Sequence, residues 1–229
     1  MTGVAPAAGD GADRIGEAGT SIAGEATGAT TTRQPLTPSS GRRFCCAMER
    51  LADCVILPAG PGDAAELARV HVASWRETYD GILPSAYLAA MRAEPHARRW
   101  RRELTAPSRG DIVLAVESSR GLVGYCAGAV SGAASGAGEA EVFTLYLMKA
   151  VQGAGIGRQL LCATAKVLHA RGARSLGLWV LDANRAARGF YERLGGRPAG
   201  HRPVTGWGGR LSETAYRWET IEVLSGAAG

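Results

Sequence analysis

The segment Gln152-Gly153-Ala154-Gly155-Ile156-Gly157-Arg158 constrains this chain more than any other. It follows the run Glu141-Val142-Phe143-Thr144-Leu145-Tyr146-Leu147, β-branched or aromatic in part, which reads as a strand. It leads into Gly155 to Arg171, where Leu160, Leu161, Val167 and Leu168 share one apolar side of a helix. Thr164 falls on that side too, and is small enough to be buried if its hydroxyl bonds back to the helix. Closely spaced glycines permit positive φ and close approach to the backbone. Successive amides at a helix N-terminus form an anion site, and Arg158 adds a charge. A diphosphate fits such a turn; a plain tight strand–helix connection is the alternative. The P-loop pattern fails, because no Gly-Lys-Ser/Thr is present. The dinucleotide pattern fails because Arg158 stands where its third glycine belongs. Gln-x-x-Gly-x-Gly remains.

The other elements can be read around this loop. Cys54-Val55-Ile56-Leu57 is a short buried strand, and Pro61-Gly62 turns the chain. Asp63 with Glu66 resembles a capping box for a helix in which Leu67, Val70, His71 and Ser74 recur, running to about Tyr79. Gly81 and Pro84 interrupt, Ser85 caps a short helix through Met91, and a third helical stretch carries Arg98-Arg99-Trp100-Arg101-Arg102. There Trp100 is the expected buried anchor and the four arginines a solvated face. Asp111 to Glu117 and Leu122 to Val130 form a hairpin through Ser118-Ser119-Arg120-Gly121. Gly172 ends the helix after the glycine loop. Leu176 to Leu181 is a strand, Asn184 to Leu194 a helix stopped by Gly195-Gly196, and Gly200 to Val204 and Leu211 to Trp218 are two last strands. The order predicts one mixed α/β domain over residues 51–220. Residues 1–50, rich in Gly, Ala and Thr, are too poor in large apolar side chains to offset their ordering entropy and are expected to be disordered. Met48 is either a true start or part of a real flexible tail, and 221–229 is expected to be a short C-terminal tail.

Composition narrows the function classes. No stretch is long and apolar enough to span a membrane, and Met1 to Ala8 have no secretory pattern. Five cysteines (Cys45, Cys46, Cys54, Cys126 and Cys162) form neither a disulfide scaffold nor a zinc motif. Together these features predict a reducing, cytoplasmic setting. His71, His96, His169 and His201 lack metal-ligand spacing, so no metal is expected. The net charge of +5 admits nucleic acid or a phosphate-bearing small molecule. Only Arg98 to Arg102 approaches a nucleic-acid surface, and without interleaved aromatics beyond Trp100 it predicts no such partner.

A second segment sharpens the reading. Asn184 and Tyr191 stand roughly two helical turns apart, on one face of the helix that follows Leu178-Trp179-Val180-Leu181-Asp182-Ala183. Taken singly, Asn184 could be an N-cap and Tyr191 a core residue. Taken with the glycine loop, the order and spacing from Glu141 to Gly196 resemble the acyl-CoA-binding core of the GNAT superfamily. Upstream, Ala73 to Pro84 resembles the first helical region of many bacterial members. Lys149 departs from the pattern where members often have proline.

The resemblance implies a single GNAT-like domain with a mixed, mostly antiparallel sheet flanked by helices. It implies acetyl-CoA as co-substrate: the backbone of Leu145, Tyr146 and Leu147 would hold the thioester and pantetheine arm. The amides of Gln152, Gly153, Ala154, Gly155, Ile156, Gly157 and Arg158 would hold the diphosphate, and Asn184 the pantetheine or the strand ends. Tyr191 would act as acid at the sulfur and Glu141 as base through water. Trp75 and Tyr79, with residues 75–88 and the loop at Thr205 to Arg210, would build the acceptor pocket. The expected function is N-acetyl transfer to a primary amine of a small molecule or protein by direct attack. Its rivals are a non-catalytic acyl-CoA sensor and a nucleic-acid module. The sequence allows a homodimer and does not decide the oligomeric state.

Overall fold

A computed structural model of the chain describes residues 54–107, 111–131, 138–204 and 211–225. The expected tail 1–50 and the acceptor loop Thr205 to Arg210 lie outside them. Seven strands form one sheet: β1 (Cys54–Pro58), β2 (Asp111–Ser118), β3 (Gly121–Ser131), β4 (Glu139–Leu147), β5 (Ser175–Leu181), β6 (Arg197–Val204) and β7 (Leu211–Trp218). Their order is β1-β2-β3-β4-β5-β7-β6. Every neighbouring pair is antiparallel except β4 and β5, which are parallel. A parallel pair needs a crossover. It is supplied by the glycine loop and α4 (Ile156–Ala170). The remaining helices are α1 (Ala64–Tyr79), α2 (Ser85–Ala90), α3 (Ala93–Thr105), α5 (Arg185–Arg193) and α6 (Glu222–Ser225). The expected fold class is what the chain adopts.

The two sheet faces carry different helices. Leu176, Leu178 and Val180 of β5 pack with Leu160, Leu161 and Leu168 of α4 and with Tyr191 of α5. On the other face, Ala115, Tyr125 and Ala127 meet α1 and α3 through Leu67, Val70 and Trp100. Trp100 is fully buried, edge-on to Tyr125 at 5.3 Å. Of its arginine neighbours, Arg98, Arg101 and Arg102 are exposed as expected. Arg99 is not: it is half-buried, pairs with Glu103 at 3.5 Å and lies 5.8 Å from the Trp100 ring. Thr164 Oγ1 donates to the Leu160 carbonyl at 2.9 Å, which permits its complete burial.

The C-terminal boundary needs correction. Residues 221–224, expected to open a tail, belong to the domain: Ile221 and Leu224 are buried in the α4 face of the core. The Ile221 amide donates to the Arg174 carbonyl at 2.8 Å. Three apolar side chains, Ile221, Val223 and Leu224, in so short a run give no periodic signal, so the short helix was invisible in sequence.

Asp182, just past β5, ties the C-terminal strands together. It accepts hydrogen bonds from Ser212 and, at 2.5 Å, from Thr214, and its Oδ2 lies 2.9 Å from His201 Nε2. Burial acts to raise its pKa, but the bonds from Ser212, Thr214 and His201 outweigh it and hold the carboxyl below its ordinary value. A depressed carboxylate contributes stability above the unfolded pKa of about 3.9, and loses it as pH falls through the folded pKa. Asp182→Asn is therefore expected to cost up to about 2 kcal/mol at neutral pH. In thermal melts, the gap between the two proteins should close as the pH is lowered from about 5 to below 3.

Candidate active site

A cleft opens where β4 and β5 part. Their pairing runs from Glu139↔Ser175 to Val142↔Leu178 and stops. Beyond it β4 stays with β3 to Leu147, and β5 stays with β7 to Leu181. The divergence has a local cause. Val142 and Thr144 pair with the consecutive residues Gly128 and Ala127, so Phe143 is an extra residue in β4. Such a bulge bends and twists its strand. Past the bulge, alternate backbone groups on the facing edges of β4 and β5 have no strand partner. A cavity of about 730 Å³ occupies the gap, bordered by Val142 to Leu147 on one side and Leu178 to Leu181 on the other.

The glycine loop and α5 border the cavity on the α4 face of the sheet. Gly153 and Gly155 have φ of +79° and +82°. A Cβ at either would meet no atom within 4 Å, so the backbone there faces open space. The amides of Gly153, Ala154, Gly155, Ile156 and Gly157 make no backbone hydrogen bond among the described residues; the first such bond of the helix is Gln159 N to Gly155 O, at 3.2 Å. These are the unsatisfied donors of a helix N-terminus, aimed where an anion can sit. Gly157 has a different task. A Cβ there would lie 3.3 Å from Leu147 Cδ1 and 3.4 Å from Phe190 Cζ, so the glycine lets α4 approach β4 and α5. Arg158 and Arg193 add positive charge to this side of the cavity. The donor set and the open cradle fit a diphosphate.

The predicted site residues divide by position. Leu145, Tyr146, Leu147, Gln152, Gly153, Gly155, Gly157, Arg158, Asn184, Tyr191, Trp75 and Tyr79 all border the cavity. Ile156 turns its side chain into the core and Ala154 points to solvent, so each can offer only backbone. Gln152 is tied down: its Nε2 donates to the Leu147 carbonyl at 2.9 Å, fixing the loop to the end of β4. Asn184 is an N-cap, its Oδ1 accepting from the Ala187 amide at 3.1 Å. Glu141 does not border the cavity. It lies in the paired stretch below the parting, beside Ala129 and Gly177.

Tyr191 is 7% exposed, and its ring packs within 5.2 Å of Phe190, 6.1 Å of Tyr216 and 6.2 Å of Trp218. Burial raises the pKa of its phenol well above the ordinary value. The hydroxyl has no hydrogen-bond partner among the described residues, and Tyr191 borders the cavity.

The face opposite α4 supplies groups that sequence reading missed. Glu213 of β7, 9% exposed, borders the cavity. It pairs with Arg202 of β6, whose guanidinium lies 4.0 Å from the centre of the Trp179 ring. Thr144 Oγ1 is buried beside the Tyr125 hydroxyl without a well-formed hydrogen bond. Alternation in Leu211 to Trp218 could have put Glu213 opposite Tyr216 and Trp218, but the insertion of β7 beside β5 is what brings it to the cleft.

Comparison with known proteins gives one consistent picture. The acetyltransferase (GNAT) family matches residues 72–196. The N-acetyltransferase YuaI of Bacillus subtilis is 27% identical over 163 residues, spanning 71% of this chain and 91% of its own. The structure of the PaiA N-acetyltransferase of Thermoplasma acidophilum in complex with coenzyme A superposes with a TM-score of 0.60 at 20% identity, over 72% of this chain and 97% of that one. A ribosomal-protein-alanine N-acetyltransferase from Brucella melitensis gives a TM-score of 0.55 at 19% identity, over 72% and 98%.

Proposed function

Because the chain belongs to the acetyltransferase (GNAT) family, we propose that it transfers the acetyl group of acetyl-CoA to a primary amine, of a small molecule or a protein, by direct attack. The observation that carries this reading is the cleft itself: a through-sheet gap with unsatisfied amides at one mouth and the unpartnered Tyr191 hydroxyl along its wall. In the reaction a carbon–nitrogen bond forms as the carbon–sulfur bond breaks. The departing sulfur takes up a proton and the attacking nitrogen gives one up.

The residues take their parts by position. Amides of Gly153 to Gly157, with Arg158, hold the diphosphate. Backbone groups of Leu145, Tyr146 and Leu147, left without a partner strand, hold the thioester and the pantetheine arm. Asn184 caps α5 through Oδ1 and borders the cavity, and its Nδ2, without a partner among the described residues, is the group that would donate to that arm. Tyr191, protonated at neutral pH, donates to the leaving sulfur. Glu141, set back from the cavity, could reach the amine only through water. Trp75 and Tyr79 wall the acceptor side.

The test is to incubate the purified protein with acetyl-CoA and a panel of amines, following thiol release and the mass of each amine. Amine-dependent thiol release with a stoichiometric N-acetyl product is expected. Coenzyme binding without turnover on any amine would favour a sensor and overturn the proposal.

A further inference from the structure

Resting on the acetyl-transfer reading, we infer that the acceptor is an amine carrying a second positive charge, and that Glu213 holds this second charge on the side of the cleft away from the glycine loop. Formal charges around the cavity are sorted. Arg158 and Arg193 stand with the glycine loop and α5, whereas Glu77 and Glu213 stand with Trp75 and Tyr79. Lys149 lies between them, at the end of β4, where its amide donates to Glu77 Oε2 at 2.8 Å. A cavity of this polarity draws an anionic coenzyme to one mouth and a cationic acceptor to the other.

Glu213 is the more telling of the two carboxylates. It is nine-tenths buried, yet only half engaged: Oε1 meets Arg202, and Oε2 has no partner among the described residues. Burying a carboxylate is costly unless its oxygens find donors. An ammonium group entering the cavity supplies the missing donor. The surrounding walls suit a cation as well, because aromatic faces attract positive charge. Trp179 already carries the Arg202 guanidinium, and Trp75 and Tyr79 line the same mouth. The charge of Glu213 also reaches Tyr79, whose pKa is raised by desolvation and further by that carboxylate.

The position of Glu213 makes the bound cation a second group and not the nucleophile. Transfer takes place in the gap between β4 and β5. Glu213 belongs to β7, opposite Leu181, and so stands one strand spacing, about 5 Å, to the far side of β5. An ammonium seated on it is displaced sideways from the thioester by several methylenes. A compact chain with amines at both ends spans that offset.

The experiment compares three amines of equal length: 1,5-diaminopentane, pentylamine and 5-aminopentanoate. Their far ends are an ammonium, a methyl and a carboxylate. The wild-type protein is expected to use the diamine about tenfold or more better in kcat/KM than pentylamine, with 5-aminopentanoate poorest. Glu213→Gln should remove most of the diamine-to-pentylamine preference, and Glu77→Gln, at the exposed rim, a smaller part. Each ratio is internal to one preparation, so a partly unfolded variant does not distort it. A wild-type protein that uses pentylamine as well as the diamine overturns the inference, as does an unchanged ratio in Glu213→Gln. No product from these three amines while another primary amine is acetylated overturns the inference, whereas no product from any amine, with acetyl-CoA still bound, refutes the acetyl-transfer reading instead. Calorimetry of 1,5-diaminopentane against the coenzyme-bound protein then decides the cation site alone. Affinity about tenfold weaker in Glu213→Gln supports it, and equal or absent binding refutes it.

Discussion

Tyr191→Phe is expected to lower kcat on the order of a hundred-fold while leaving acetyl-CoA affinity near normal. The ring sits among Phe190, Tyr216 and Trp218, and phenylalanine fills the same space. Removing the hydroxyl breaks no hydrogen bond among the described residues, so the loss should not come from unfolding. What disappears is a proton donor at the cavity wall. Desolvation raises the phenol's pKa above its ordinary 10, so the group stays protonated through the working range. An alkaline fall in the rate below about pH 10 is therefore not due to Tyr191. The comparison belongs in single-turnover kinetics, where chemistry is separated from product release. A variant with wild-type single-turnover rate would remove Tyr191 from the reaction.

Gly155→Val should weaken acetyl-CoA binding by roughly a hundred-fold. A valine side chain there would project into the open space that the loop amides face. Losing one or two hydrogen bonds to a charged phosphate costs about 1.5–3 kcal/mol each. The same change forces a β-branched residue to φ of +82°, at about 1–2 kcal/mol of folding stability. The two effects separate experimentally: calorimetry gives the affinity, and the melting temperature gives the strain. A folded variant with unchanged affinity would show that the diphosphate lies elsewhere.

Much of the architecture was legible because local chemistry fixed it. The glycine loop, the hairpin at Ser118 to Gly121 and the caps at Asn184 and Gly172 each declare a turn or helix end by residue type. The coenzyme side of the cleft was legible for the same reason, being built from one contiguous loop and the helix that follows the next strand. The acceptor side was not. Glu213 reads as an ordinary strand carboxylate, and only the order β5-β7-β6 places it at the cavity. Glu141 shows the converse. Its strand position matched, but the parallel pairing through Val142 keeps it below the opening. Arg99 read as one more solvated arginine; its partner Glu103 stands four residues on along the same helix, and packing reveals only that the pair is largely buried.

The place of β7 bears on how the chain is made. Of the seven described strands it is the last in chain order, yet it is an interior strand, between β5 and β6. Until residues 211–218 emerge from the ribosome, β5 keeps one open edge and β6 has no sheet neighbour at all. The half-made molecule thus exposes an unpaired ladder beside Leu176, Leu178 and Val180, in the apolar middle of the sheet. Unpaired edges of this kind pair readily with other chains. Damage near residue 211 is therefore not a loss of trim. It strands β6, removes Tyr216 and Trp218 from behind Tyr191, and leaves β5 with an open edge on which another chain can pair.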